Sequence, residues 1–275
     1  MLNGLNGINQ DFLTRTLDTN QTGLLKSMQK LASGKQINSA GDNAAGLAVL
    51  SRLLNQYAGE QQAAYNVQDA YSVMQVAEGG FEAVSSIQQR LKELAVQSSN
   101  GTLTDDDRAL LQSEADQLID ELDRLSDTVE FNGQKLLDGS FELGSGDFTA
   151  QAGANAGETI SLNISGVDAQ SLGLQNFDIS SAASAEQSIE KIDQSINTVS
   201  EYKSKIGAYQ NRLEETYDFL GKQIENAGSS ASIIGDTDFA LEILNKTKQA
   251  MLGNINLSLI AQGNILSSNA FGLFS

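Results

Sequence analysis

The side chains of this chain that could carry chemistry are carboxylates, lysines and hydroxyls, because the sequence contains no His and no Cys. The chain therefore lacks a neutral-pH imidazole base, a thiolate nucleophile and the usual ligands of zinc, haem and iron–sulfur clusters. Its 35 acidic residues could still supply paired carboxylates for glycoside hydrolysis, or oxygen ligands for a hard cation.

The acids that lie closest together in the sequence are better explained by helix formation than by glycoside hydrolysis or cation binding. It consists of Asp105, Asp106 and Asp107, with Asp116, Asp120 and Asp123 following. The spacing is not that of a calcium-binding loop, and nothing brings two acids together in an apolar cleft. Thr104 before three acids is instead typical of a capped helix start, where negative charge suits the helix dipole. We therefore predict no catalytic residue, no metal site and no cofactor, and we expect that the chain is not an enzyme.

A second candidate site is the glycine-containing stretch with Gly34, Gly41 and Gly46, which could be taken for a phosphate-binding loop. It has neither the spacing of such a loop nor a strand before it. Hinge or packing glycines are the better interpretation.

Net charge limits the partners that the chain can have. The formal charge is −18 and the isoelectric point is about 4.2. Nucleic acids and anionic membrane surfaces both require a positive face, so we expect neither as a partner. The first ten residues contain no basic region followed by an apolar run, so we expect no cleaved secretory signal. Residues 251–275 are uncharged, but they contain too many polar residues for a transmembrane helix.

Long helices should dominate the fold. The chain has no Pro to interrupt a helix, and its hydrophobic fraction of 40% includes only 6% aromatic residues. Residues 62–98, 105–129 and 186–224 carry apolar side chains at alternating steps of three and four, which is the spacing of a coiled-coil seam. The longest series is Ile189, Ile192, Ile196, Val199, Tyr202, Ile206, Tyr209, Leu213, Tyr217, Leu220 and Ile224.

The middle of the chain differs from its flanks. Residues 137–185 are rich in Gly, Ser, Asn and Asp, and they alternate polar with apolar side chains at Phe141–Leu143 and again at Thr159–Ile164. This pattern predicts short β-hairpins joined by Gly-rich turns. We therefore predict a mainly α fold, an elongated coiled-coil-like helical rod formed by both ends of the chain, with a small β-hairpin region in the middle.

The two ends share an unusual composition, since residues 1–10 and 251–275 carry no charge. Each end nevertheless has a periodic apolar series: Leu17, Leu24, Met28 and Leu31 at one end, and Phe239, Ile243, Met251, Ile255, Leu259 and Leu266 at the other. Apolar faces with so little charge are expected to find burial in another chain. Head-to-tail association of identical subunits continues as an open helix instead of closing.

Several strings resemble bacterial flagellins. The most specific is LASGKQINSAGDNAAGLAVLSRL at residues 31–53, which is similar to the connector between the terminal and rod domains of that family. Four more agree in order: IQQRLKELAVQSSNG at 87–101, EFNGQKLLDG at 130–139, IGAYQNRLE at 206–214 and DTDFALE at 236–242. The chain looks like a short flagellin with little or no variable outer domain.

The resemblance implies five segments. They are an N-terminal arm with connector at 1–45, N-terminal rod helices at 46–137, a β-hairpin region at 138–185, a long rod helix at 186–228, and a connector with C-terminal arm at 229–275. In flagellins the two arms pair as helices that line the channel of an extracellular filament used for motility. The implied partners are further copies of the chain, the flagellar type III export apparatus, an export chaperone, and hook-junction and cap proteins.

The resemblance also implies recognition by the vertebrate flagellin receptor. The family's receptor-contacting stretch matches residues 89–96, and Arg90, Leu94 and Glu114 fall on its contact positions.

Two other functions stay open at this point. A hook–filament junction protein shares the end helices, although such proteins usually lack the full match at 87–101. A filament-borne enzyme or adhesin is the second alternative. Known flagellin-borne proteases, however, carry a zinc-binding His motif in a central insertion, and this chain has no His.

Overall fold

The computed structural model describes residues 2–142, 146 and 148–273, with side chains described at 11–142, 146 and 148–265. In these residues the helices are α1 (Leu2–Ser33), α2 (Ala40–Ser98), α3 (Asp105–Thr128), α4 (Ala182–Gly235) and α5 (Phe239–Leu273). The strands are β1 (Glu130–Phe131), β2 (Gln134–Lys135), β3 (Phe148–Gln151) and β4 (Thr159–Leu162). The prediction of a mainly helical chain with a small β region in its middle is confirmed.

The chain divides into two compact units. Unit 1 comprises Met1–Gln56 with Glu225–Ser275, and unit 2 comprises Tyr57–Ile224. The segment boundaries predicted from the sequence, such as 45/46 and 228/229, remain predictions.

The core of unit 2 is built from heptad repeats. Buried residues recur every seven positions, as Ile192, Val199, Ile206, Leu213 and Leu220 on α4 and as Val67, Met74 and Phe81 on α2. Seven residues after Phe81, the α2 series continues with Gln88. Its Nε2 donates to Ser195 Oγ at 2.6 Å inside the core. This bond satisfies one of the few polar side chains in the seam. The coiled-coil spacing read from the sequence is confirmed.

The start of α3 is fixed by the predicted cap. Thr104 accepts a hydrogen bond from Asp107 N, and the Asp107 carboxylate accepts from Thr104 N at 3.1 Å, which completes a capping box. The carboxylate also accepts from the Thr104 hydroxyl, and these bonds lower the pKa of Asp107. The end of α2 is held to the same region by the buried Arg108, which donates to Ser98 O and Asn100 O, both at 3.0 Å.

The β region consists of two antiparallel hairpins. In the first, Phe131 pairs with Gln134 across a turn in which Asn132 and Gly133 both have positive φ, as a two-residue hairpin turn requires. In the second, β3 pairs with β4 from Phe148 opposite Leu162 to Gln151 opposite Thr159.

The predicted strand at Phe141–Leu143 is wrong where it is described. Phe141 and Glu142 form a turn, and Leu143 lies outside the described residues. Phe141 O nonetheless accepts from Ile164 N at 3.0 Å, so this turn still pairs with the segment that follows β4.

The segment after β4 has no regular structure, and side chains of the helices hold it in place. Gln112 of α3 donates to Phe177 O at 3.0 Å and accepts from Ile179 N at 2.6 Å, as a neighbouring strand would. Ser98 of α2 donates to Ile179 O at 2.5 Å. Because these bonds satisfy the buried backbone, the segment can close the core without forming a sheet.

In unit 1, α1 packs against α5, and the two connectors run side by side. Gly34 ends α1 with a φ of +70°, a left-handed conformation that glycine adopts without strain. Gln36 N donates to Gly235 O at 2.7 Å, and Thr237 N donates to Gly34 O at 2.9 Å. A Cβ on Gly46 would lie 2.8 Å from Ile37 Cδ1, so this glycine permits close packing.

Candidate interaction surfaces

The apolar series predicted on the C-terminal helix points outwards. Its members Phe239, Ile243, Met251, Ile255 and Leu259, which we call the α5 face, are between 45% and 61% exposed. Leu266, the last predicted member, lies outside the residues whose side chains are described. The folded helix therefore presents large apolar side chains to solvent along much of its described length.

The side of α5 that points inwards is polar instead. Glu242 and Asn256 are buried, and Gln249 between them is half-buried, so one inward position recurs every seven residues. The series predicted on α1 behaves differently, because Leu17, Leu24 and Leu31 are half-buried while Met28 is exposed. The pairing of α1 with α5 thus leaves the α5 face uncovered.

The second half of the α5 face, from Met251 on, has no charged residue beside it. From Met251 to Ile265 the chain carries no Asp, Glu, Lys or Arg. A partner could cover this part of the face without the large free-energy cost of desolvating an ion. Exposed apolar patches of this kind mark interaction sites.

The residues predicted for receptor binding are only partly brought together. Arg90 and Glu114 form an ion pair at 2.7 Å on the surface of unit 2, and Arg90 also contacts Glu93 at 3.0 Å. The hydrogen bond to Glu114 is the main cause of a raised pKa at Arg90. Leu94, one turn after Arg90, is 0% exposed and belongs to the core. Its side chain packs inside unit 2, and its contact with a receptor stays a prediction.

The acidic start of α3 is occupied by bonds within the chain. Asp107 completes the capping box, and Asp105 contacts Arg108 Nη1 at 3.1 Å. In the described residues there is no group of three or more His, Cys, Asp or Glu side chains that could hold a metal ion. No helix in the same part of the chain is long and apolar enough to cross a bilayer.

Comparison with known proteins matches both flanks of the chain to one family. Residues 6–142 match the bacterial flagellin N-terminal helical region, and residues 189–273 match the bacterial flagellin C-terminal helical region. Flagellin of Halalkalibacterium halodurans is 42% identical over 241 residues, which are 87% of each chain. A flagellar filament core protein of Brachyspira hyodysenteriae is 38% identical over 98% of each chain.

Among solved structures, the crystal structure of Bacillus cereus flagellin is 29% identical, with a TM-score of 0.50, over 56% of this chain and 88% of that one. The two family regions include α1 and α5, the helices that form the pair in unit 1, and most of the heptad seam of unit 2. The chain therefore belongs to the bacterial flagellin family.

Proposed function

We propose that this chain is a structural subunit that polymerises into the bacterial flagellar filament, and that the α5 face is a surface through which its copies associate. The observation that carries the proposal is the set of large exposed apolar side chains on a helix that has few charged residues. Relatives that share nearly the full length of the chain are named flagellin or flagellar filament core protein.

The physical reason for association is the area of apolar surface that the folded subunit leaves in water. Removing apolar surface from water stabilises a complex by about 25 cal/mol per Å². A surface on α5 that meets a different surface on the next copy leaves both surfaces free at the ends, so subunits add without limit when the rotation between copies does not close a ring. This is the geometry of a filament.

The same surface requires protection before assembly. We infer that the chain leaves the cell through the flagellar type III export apparatus and reaches the extracellular filament without a cleaved signal peptide. An export chaperone would cover the α5 face until then, and hook-junction and cap proteins would meet the first and the last subunit. The flagellin family is a structural family, and we propose no catalytic role for the chain.

Seeded polymerisation tests the main proposal. The purified full chain should extend filament fragments into long filaments that electron microscopy can count. A chain lacking residues 251–275 should fail to extend them while unit 2 keeps its helical circular dichroism and its melting temperature. Extension by the shortened chain would refute the role of the α5 face. A full chain that extends only in the presence of a second filament protein would favour the hook–filament junction alternative.

Receptor recognition is a separate proposal that rests on the surface pair Arg90–Glu114, with Leu94 supporting the helix from the core. The variants Arg90→Ala and Glu114→Ala should weaken the response of receptor-bearing reporter cells to the purified monomer. The matched control is the pair Arg124–Glu121 on α3, which is similarly exposed and has a contact of 2.6 Å. An equal loss of response in both sets would argue against recognition through Arg90 and Glu114, and no response to the wild-type monomer would refute recognition altogether.

A further inference from the structure

One side of the seam between α2 and α4 carries polar contacts that join the two helices. Lys92 Nζ and Asp193 Oδ1 form an ion pair, and Gln210 Nε2 donates to Glu78 Oε2 at 2.7 Å. Tyr71 lies seven residues before Glu78 on α2, so it belongs to the same side of the seam. At the level of Tyr71 the two helices line a cavity instead.

This cavity lies within unit 2 and has a volume of about 310 Å³. Its deepest residues belong to the heptad core, since Val67 is 1% and Leu213 is 0% exposed. Tyr71 is half-buried, Tyr217 is 45% exposed, and Glu214 is exposed at the opening. We call it the tyrosine cavity, and its lining consists of Val67, Gln68, Tyr71, Leu213, Glu214 and Tyr217. The volume is at the lower end of the range for ligand sites, so a single large side chain can fill it.

The chemistry of the tyrosine cavity matches a planar cation. Phenol rings attract a cation over their faces, and elsewhere in unit 2 Lys205 Nζ lies 5.5 Å from the centre of the Tyr202 ring. Glu214 adds a negative charge, and no basic side chain among the described residues forms an ion pair with it. A guanidinium suits both features better than an ammonium, because it stacks on aromatic rings and its N–H groups pair with a carboxylate in a fork.

Net charge indicates where such a cation can come from. Unit 1 has seven acidic and seven basic residues, so the whole net charge of −18 belongs to unit 2. Within unit 1, residues 1–56 contain five basic and three acidic residues, and the basic ones include the exposed Arg15 and Arg52. Neither arginine forms an ion pair in the part of the chain that the structure describes. An arginine of unit 1 is therefore the complementary group that a second copy can offer to the acidic unit 2.

We propose that the tyrosine cavity receives an arginine side chain, Arg15 or Arg52, from unit 1 of a second copy of this chain. The guanidinium lies against the rings of Tyr71 and Tyr217 and donates to the Glu214 carboxylate. This contact joins two different surfaces, as an open polymer requires. The inference rests on the proposed function, because the arginine belongs to a neighbouring subunit, and it adds a contact that the α5 face does not provide.

A double-mutant cycle in seeded growth tests the contact. The critical concentration of the full chain is measured for Glu214→Gln, for Arg15→Met and Arg52→Met, and for each arginine variant combined with Glu214→Gln. Glu214→Gln should raise the critical concentration about tenfold, and one of the two arginine variants should do the same. Since either change already breaks the contact, the combination of these two should also give about tenfold, instead of the about hundredfold rise of independent effects.

Two control variants separate this contact from general effects of charge. Glu215→Gln removes another exposed carboxylate of α4 that does not line the cavity, so it should leave the critical concentration within about twofold of the wild-type value. Arg212→Met removes an exposed arginine of unit 2, and its effect should multiply with that of Glu214→Gln.

A further pair of variants tests the aromatic wall. Tyr217→Phe keeps the ring and should leave the critical concentration within about twofold, whereas Tyr217→Leu removes the ring and should raise it about fivefold. Equal effects of the two substitutions would count against stacking of the guanidinium on Tyr217.

Equal effects of Glu214→Gln and Glu215→Gln, or effects that multiply for both Arg15→Met and Arg52→Met, would overturn the proposal. Coupling of Glu214→Gln to Arg212→Met alone would overturn the assignment of the arginine to unit 1. Failure of the wild-type chain to extend filament seeds would remove the proposed function and this inference together. Normal extension by the wild-type chain without the coupling would remove the inference alone, so the two failures are distinguishable.

Discussion

Replacing two residues of the α5 face should weaken polymerisation without touching the fold of unit 2. Ile243 and Ile255 are 51% and 54% exposed in the folded chain. Full burial of an isoleucine is worth about 1.5–3 kcal/mol, so the exposed half of each side chain can contribute about 1 kcal/mol when a neighbouring copy covers it. For Ile243→Ala with Ile255→Ala the expected loss is about 2 kcal/mol per subunit contact. Since about 1.4 kcal/mol corresponds to a factor of ten, the critical concentration should rise about 30-fold.

The measurement is the concentration of soluble chain that remains in equilibrium with filaments after seeded growth and sedimentation. The control is Asn245→Ala with Gln262→Ala, two exposed polar positions of the same helix. It should leave the critical concentration within about twofold of the wild-type value, because surface substitutions of this kind change free energies by about 0.5 kcal/mol or less. Equal critical concentrations for the two double variants would refute the assignment of the α5 face to assembly.

Three further predictions concern the stability of unit 2, measured by thermal or urea unfolding of the full chain with a helix signal. Thr104→Ala removes the capping box of α3 and should cost about 1 kcal/mol, whereas Thr104→Ser should cost little, because serine can make the same bonds. Arg108→Met keeps much of the buried volume but removes two charged hydrogen bonds to the end of α2, so a loss of about 3 kcal/mol is expected, and an unchanged stability would contradict this role. The pKa of Asp178 is lowered, chiefly by the hydrogen bond that its carboxylate accepts from Ser180 N. Its contribution is therefore present above its unfolded pKa and is lost as pH falls through the lower folded value, so Asp178→Asn should make unfolding less sensitive to acid below the pKa of an ordinary aspartate.

The helices of unit 2 could be predicted because their packing repeats. One side chain of the seam, such as Ile192 or Leu213, is followed by another after seven residues, and that period is visible without knowledge of the partner helix. The start of α3 at Asp105 was predictable for a local reason, since Thr104 and Asp107 bond to each other within one turn. The apolar series predicted for the long helix α4 stops at Ile224, whereas the helix continues to Gly235.

The β region was harder to predict from the sequence because its strands are short. β1 and β2 contain two residues each, too few to show an alternation, and the signal that marks them is the Asn132-Gly133 turn. The segment from Phe177 to Ile179 could not be placed from its own residues, since its position depends on the distant side chains of Gln112 and Ser98. Contacts of this kind join residues that no local pattern connects.

Composition predicts part of the candidate assembly surface, whereas the pairing of α1 with α5 determines which side chains lie on it. The lack of charge at the chain ends predicted that aliphatic side chains such as Ile255 and Leu259 would need burial from outside the chain. It could not predict which side of α5 faces α1, because Gln249 and Asn256 are poor candidates for a buried seam by polarity alone. The helix pair places the amides inside and the aliphatic side chains outside, so its own packing releases less free energy than the reverse orientation would. A neighbouring copy can bury the apolar surface that this orientation leaves exposed. The polar side chains inside the α1–α5 pair thus favour association of one subunit with the next.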